Sequence, residues 1–294
     1  MEIMKILIMS TALLFGSCSK DTSQSDLLNH KQEKHKMESM ELKKPGQDSS
    51  SKYYLKFNTD LNELRSGENL TLYFSVKDKE NETRIVKLET VHEKKAHIII
   101  VSDDLEYFNH IHPTQENDGN YSVQLNFPFG GKYKLFVEYQ PAGCGKITDS
   151  FDVDAEGDSK SKIQYSKEKL SFSEKDLSVE LLKTTEIKSD ADSHLLVKII
   201  NDGISISADK LDNYLGEKAH AIMIGLADKK ILHVHSMVMD DMLYLHLNFS
   251  GSGFYRLWVQ FQLDGSLYTT DFILDVKPLH NSEKKSIKNQ HTNH

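Results

Sequence analysis

Residues 96–113 read Ala96-His97-Ile98-Ile99-Ile100-Val101-Ser102-Asp103-Asp104-Leu105-Glu106-Tyr107-Phe108-Asn109-His110-Ile111-His112-Pro113. A β-branched run leaves a histidine, meets two acidic residues and returns to a His-x-His pair. A short apolar run bounded by turn residues reads as a buried strand, and two such runs joined closely read as a hairpin. Further along, Ala219-His220 opens a run to Ile224, and Ile231-Leu232-His233-Val234-His235-Ser236 closes it. Histidines at 97 and 110, and at 220 and 233, are 13 apart; 97 and 112, and 220 and 235, are 15 apart.

The match spreads outward from these hairpins. Lys87-Leu88-Glu89 and Lys95-Ala96-His97 recur as Lys210-Leu211-Asp212 and Lys218-Ala219-His220, offset by 123. Leu125-Asn126-Phe127 and Gly131 to Val137 recur as Leu247-Asn248-Phe249 and Gly253 to Val259, offset by 122, so one residue is lost in a turn. Upstream, Leu70 to Val76 corresponds roughly to His194 through Ile200. Duplication of a domain of about 100 residues explains the pattern. Runs such as Tyr121–Phe127, Tyr133–Tyr139, Met242–Phe249 and Tyr255–Gln262 are aromatic or β-branched, several alternate, and Gly, Asn and Asp clusters separate them. Amphipathic helix patterns are absent apart from short turns near Leu211. The expected fold is all-β: two tandem antiparallel β-sandwiches, immunoglobulin-like or cupredoxin-like, over 53–155 and 176–277, joined by a linker over 156–175.

Hairpin geometry makes the histidines a candidate site. A two-residue turn at Asp103-Asp104 makes cross-strand partners sum to 207 and sets His97 opposite His110. Opposed residues share a face, and His112 shares it by the two-residue period of a strand. A turn giving an even sum would split His97 from the others. Three converging imidazoles suit Cu(II), Zn(II) or Ni(II). The competing reading has the histidines hydrogen-bonding loop carbonyls and supporting the fold. Methionines 237, 239 and 242 follow the second cluster; they read either as thioether ligands for Cu(I) or as core filler. Cys144, in a Pro-Ala-Gly-Cys-Gly turn, reads as a soft ligand or a bystander thiol.

Ala96-His97 with Phe108-Asn109-His110-Ile111-His112-Pro113, and Tyr214 to His220 with His233-Val234-His235, resemble the signature of YtkA-like, HxHP-motif extracytoplasmic β-domain lipoproteins. The resemblance covers about 30 residues of each copy. It implies a sandwich fold and a role in metal handling, with His97, His110 and His112 in one copy and His220, His233 and His235 in the other. Pro113 is Ser236 in the second copy, which puts the turn after its last histidine in question. A blue-copper centre would add a cysteine and an axial methionine beside the histidines, and neither copy has that order.

The ends give location. Lys5 precedes the apolar run Ile6–Phe15, which ends in Phe15-Gly16-Ser17-Cys18. Ten apolar residues suit a signal-peptide core rather than a membrane span. The small residues before Cys18 resemble a lipobox, with residues 1–17 cleaved and Cys18 lipidated; an ordinary signal peptide or an uncleaved anchor is the alternative. Residues 18–52 and 278–294 are polar and read as a disordered tether and tail. Their histidines and methionines read equally as loose copper ligands or solvated sequence.

The net charge is −8 overall; residues 53–276 hold 24 basic and 36 acidic side chains, a net −12. A nucleic-acid binder would show a basic stripe. Two cysteines, one assigned to lipid, exclude a disulfide framework. No glycine-rich phosphate loop or Gly-x-Ser-x-Gly elbow is present, and no general base stands beside the histidines in sequence, so no enzymatic activity is expected. The sequence therefore reads as a lipid-anchored protein of the bacterial cell envelope, periplasmic or surface-exposed. It would buffer or deliver copper, with zinc as second choice. Its expected partners are the metal ion, the membrane and a protein of the envelope. The alternative is a structural or interaction lipoprotein whose histidines stabilise the fold.

Overall fold

The computed structural model describes residues 51–116, 119–249 and 251–279, the side chains of His233 and His235 excepted. Cys18, the expected signal peptide and the two polar ends lie outside these residues. The described chain is built from strands, with a single-turn 3-10 helix at Ala208–Lys210 where short turns were expected. No described helix is long and apolar enough to cross a membrane.

The first copy contains β1 (Tyr53–Phe57), β2 (Leu64–Arg65), β3 (Asn69–Asp78), β4 (Ala96–Ser102), β5 (Phe108–Ile111), β6 (Thr114–Gln115), β7 (Asn120–Asn126), β8 (Gly131–Tyr139) and β9 (Ile147–Glu156). Two sheets form, in the orders β1-β3-β7-β6 and β2-β9-β8-β4-β5. Alternation sorts the side chains. On β9, Phe151, Val153 and Ala155 are buried while Asp152 and Asp154 are exposed. Phe57 of one sheet meets Phe151 of the other edge-to-face at 4.7 Å, so the apolar faces pack against each other. β4 is buried along its whole length, as expected for a run without polar alternation.

The second copy contains β10 (Ser171–Glu174), β11 (Leu177–Lys183), β12 (Asp192–Asn201), β13 (Ile204–Ile206), β14 (Ala219–Gly225), β15 (Ile231–Met239), β16 (Met242–Asn248), β17 (Gly253–Leu263) and β18 (Ser266–Val276). Its order is β10-β11-β12-β16-β15-β14-β17-β18, with β13 on β12. β15 joins the two layers: Ile231–Val234 pair with β14 and His235–Met239 pair with β16. Val179, Leu195, Leu245, Ala221, Leu257 and Phe272, drawn from both layers, fill the core between them.

The duplication is visible in matching details. Gly131 and Gly253, with φ of 133° and 124°, open equivalent strands. Tyr133 and Tyr255 donate to the carbonyls of Phe129 and Gly251 at 2.6 and 2.9 Å. Two sequence-level expectations shift. Leu70 opposes Leu125 while Ser193 opposes Leu247, so Leu70 corresponds to Ser193 and His194 to Thr71. β10 also lies inside the expected linker, because Ser171–Glu174 pair with β11 and Lys169 bridges to Ile273.

By contacts the chain divides into two compact units, one comprising residues to Val91, Lys95–Ile99 and His110–Gly157, the other His92–Lys94, Ile100–Asn109 and Asp158 onward. His97, His110 and His112 all belong to the first.

Candidate metal centre

The hairpin loop differs from the expected two-residue turn. Ser102 N–H donates to the Tyr107 carbonyl at 3.2 Å and Tyr107 N–H donates to Ser102 Oγ at 2.9 Å, so the loop is 103–106. Asp104 accepts from Ser102 Oγ at 2.6 Å and from Glu106 N–H at 3.1 Å. Desolvation pushes its carboxyl up, but these bonds and the other backbone donors outweigh it and leave the group below the usual range. Leu105 takes a left-handed φ of 60° and is fully buried. Closing at 102 and 107 makes partners sum to 209 rather than 207. The shift is two residues, so parity is preserved and the three histidines keep a common face.

His97 is 4% exposed, His110 8%, and His112 is half-buried. Their ring centroids stand 5.4, 4.9 and 4.6 Å apart (97 to 110, 97 to 112, 110 to 112). One nitrogen from each lies within 4.8 Å of the others. His97 Nε2 is 2.9 Å from the Val91 carbonyl oxygen and His97 Nδ1 is 3.2 Å from His110 Nε2. A carbonyl only accepts, so Nε2 of His97 carries the proton and Nδ1 presents a lone pair. Such a carbonyl-fixed tautomer is the usual support for a metal-binding imidazole. Nitrogens about 2.0–2.1 Å from a tetrahedral ion stand about 3.3 Å apart. The 97–110 pair already has that separation, and a nitrogen of His112 lies within 4.8 Å of both. The donor set fits a metal ion.

The loop over His97 is held by a second residue, which sequence reasoning quoted without giving it a role. Lys95 Nζ donates to the Leu88 carbonyl at 2.8 Å. The second copy repeats both bonds: Lys218 Nζ to Leu211 O at 2.6 Å and His220 Nε2 to Tyr214 O at 2.9 Å. The repeated Leu, Lys-Ala-His pattern is therefore a loop clamp, with buried Leu88, Leu211, Ala96 and Ala219 beneath it. The repeat was the available signal; carbonyl partners leave no mark of their own in a sequence.

His220 stands as the equivalent of His97. The register sets His233 opposite Ile222 and His235 opposite His246. The side chains of His233 and His235 are outside the described residues. Cys144 sits in a turn closed by its own N–H to Pro141 O at 2.9 Å and is not part of the 97–110–112 group. Met237 and Met239 are 53% and 40% exposed, which corrects the core-filler reading.

No curated protein matches the chain. Among solved structures it is similar to FdeC, a broadly conserved Escherichia coli adhesin, at 14% identity and TM-score 0.27, covering 78% of this chain and 65% of that one. A tetra-tandem repeat from the extending region of a large adhesion protein matches at 13% and 0.25, covering 76% and 49%. Trypsin-activated alpha-2-macroglobulin from Escherichia coli matches at 10% and 0.26, covering 78% and 16%. The chain spans less than two thirds of each, and likenesses this distant carry no functional weight. One family model matches twice, over residues 49–157 and 173–278, together well over half of the sequence. The chain thus belongs, through both of its sandwich domains, to the family described as Domain of unknown function (DUF8832).

Proposed function

We propose that this is a metal-binding protein of the bacterial cell envelope, lipid-anchored through Cys18, whose first domain holds copper or zinc on His97, His110 and His112. The observation that carries this reading is the convergence of three imidazole nitrogens within 4.8 Å, one with its tautomer fixed by Val91. Three imidazoles form a borderline-soft donor set that takes Cu(II) or Zn(II). Location rests on the apolar run Ile6–Phe15 and the small residues before Cys18.

A second reading is favoured by one observation. His220 repeats the carbonyl bond of His97, so this histidine supports the loop whether or not metal is present. In that reading the protein is a surface interaction module and the histidines are structural. Imidazole NMR separates the two. Zn(II) added to the full chain should shift the rings of His97, His110 and His112 together, saturating at one equivalent for that site. His110→Ala/His112→Ala should abolish the His97 shift and leave the strand dispersion intact. Unmoved imidazoles in folded wild type would sink the metal reading.

A further inference from the structure

The outward face of the second copy carries a chemistry that the first copy lacks. Register sets His194 opposite His246 and His246 opposite His235, across β12, β16 and β15. In the next row, two residues along, stand Leu196, Tyr244 and Met237, and Met242 opposes Met239 beyond them. The alternate residues Leu195, Leu243 and Leu245 are fully buried in the core. His194, Tyr244, His246 and Met237 therefore lie on the opposite, outward face. His194 stacks on His246 with centroids 5.1 Å apart and on Tyr244 at 5.0 Å. His246 Nε2 is 3.4 Å from Asp192 Oδ1. His194 Nδ1 is buried and has no hydrogen-bond partner among the described residues.

The equivalent positions in the first copy are closed. Thr71 opposes Gln124, and Gln124 Nε2 donates to Thr71 Oγ1 at 2.8 Å. After duplication, a self-satisfied neutral pair stands in one copy and two imidazoles in the other. Two thioethers, residues that ordinarily fill gaps in cores, stand one and two rows along β15 from the histidines, Met237 and Met239, with 53% and 40% exposure.

Thioether and imidazole donors together select Cu(I) among the common biological cations. Neighbouring strands are about 4.8 Å apart and diagonal neighbours about 7–8 Å; His246, on the middle strand β16, is a direct neighbour of His194 and a diagonal neighbour of Met237. Rings 5.1 Å apart need only tilt toward each other to share an ion. The geometry points to a second, exposed metal site in which Cu(I) is held by His194, His246 and Met237, with His235 at the adjoining register position. It shares no described donor with the buried first-copy centre, so either can fail alone.

The test is anaerobic Cu(I) competition against a chromogenic Cu(I) chelator, using the full chain. His194→Ala/His246→Ala should retain one equivalent fewer than wild type, and Met237→Leu/Met239→Leu should bind that equivalent at least tenfold more weakly. His110→Ala/His112→Ala should keep it. Any copper held by the polar ends is common to every variant, so the difference isolates this face. These side chains lie outside the core, so melting temperature serves as the fold control. In parallel, the methyl resonance of Met237, assigned through its leucine variant, should move with Cu(I) and stay put with Zn(II). Equal Cu(I) retention by wild type and His194→Ala/His246→Ala, or a Met237 methyl that ignores Cu(I) or follows Zn(II), would overturn the assignment.

Discussion

Val91 decides what His97 can do. Its carbonyl accepts a hydrogen bond from Nε2–H, which leaves Nδ1 facing His110. That carbonyl is itself placed by a loop which Lys95 ties to Leu88. Lys95→Met should therefore act at a distance. It keeps the apolar stem and removes a charge-assisted hydrogen bond, which contributes about 1.5–3 kcal/mol. Urea unfolding should show a loss of that order, and Zn(II) affinity should fall with it as the His97 ring loses its fixed orientation. Unchanged stability would mean that the lysine bond is solvated and idle. The convergence of the histidines was legible because it depends on parity alone. The loop length was not: it requires Leu105 at φ 60°, a conformation branched and bulky residues disfavour. The Leu105 side chain is fully buried there, and no local sequence signal records that burial.

One substitution separates the two copies at the level of strands. Proline has no N–H and fixes φ, so it sits at strand ends and breaks. At Pro113 the first copy stops β5 at Ile111 and restarts as β6 at Thr114 on the other sheet. Ser236 lets β15 run unbroken from Ile231 to Met239 while it changes partners, and its hydroxyl donates to the Ala219 carbonyl at 2.6 Å. Ser236→Pro should destabilise the second domain by at least about 1 kcal/mol, through the lost hydroxyl bond alone, with calorimetry as the check; a neutral effect would show that the crossing needs neither group. The sequence made the repeat and the strand identities plain, and it flagged the Pro113 and Ser236 difference. It misplaced Leu70 by one partner, because register in an antiparallel pair is fixed by the opposing strand rather than by either run alone.

At the scale of the whole molecule, duplication has kept the scaffold and let the surfaces diverge. Both copies retain the tyrosine bonds, the paired glycines and the lysine–histidine clamp. They differ where solvent meets the sheet, with Thr71 and Gln124 in one and His194 and His246 in the other. That divergence could not be read from the spacing of the first-found histidines, since His194 and His246 are far apart in sequence and meet only through strand pairing. The proposed function stands on the centre of His97, His110 and His112. Calorimetric titration of the full chain with Zn(II) probes it, comparing wild type with His110→Ala/His112→Ala at neutral pH and at about pH 5, below the ordinary imidazole pKa of about 6.5. Ligation requires deprotonated imidazole, so affinity present at neutral pH is lost as pH falls. Wild type should bind one more tight equivalent than the variant at neutral pH, with no difference at the acidic pH. Identical stoichiometry and affinity for the two proteins at neutral pH would contradict it.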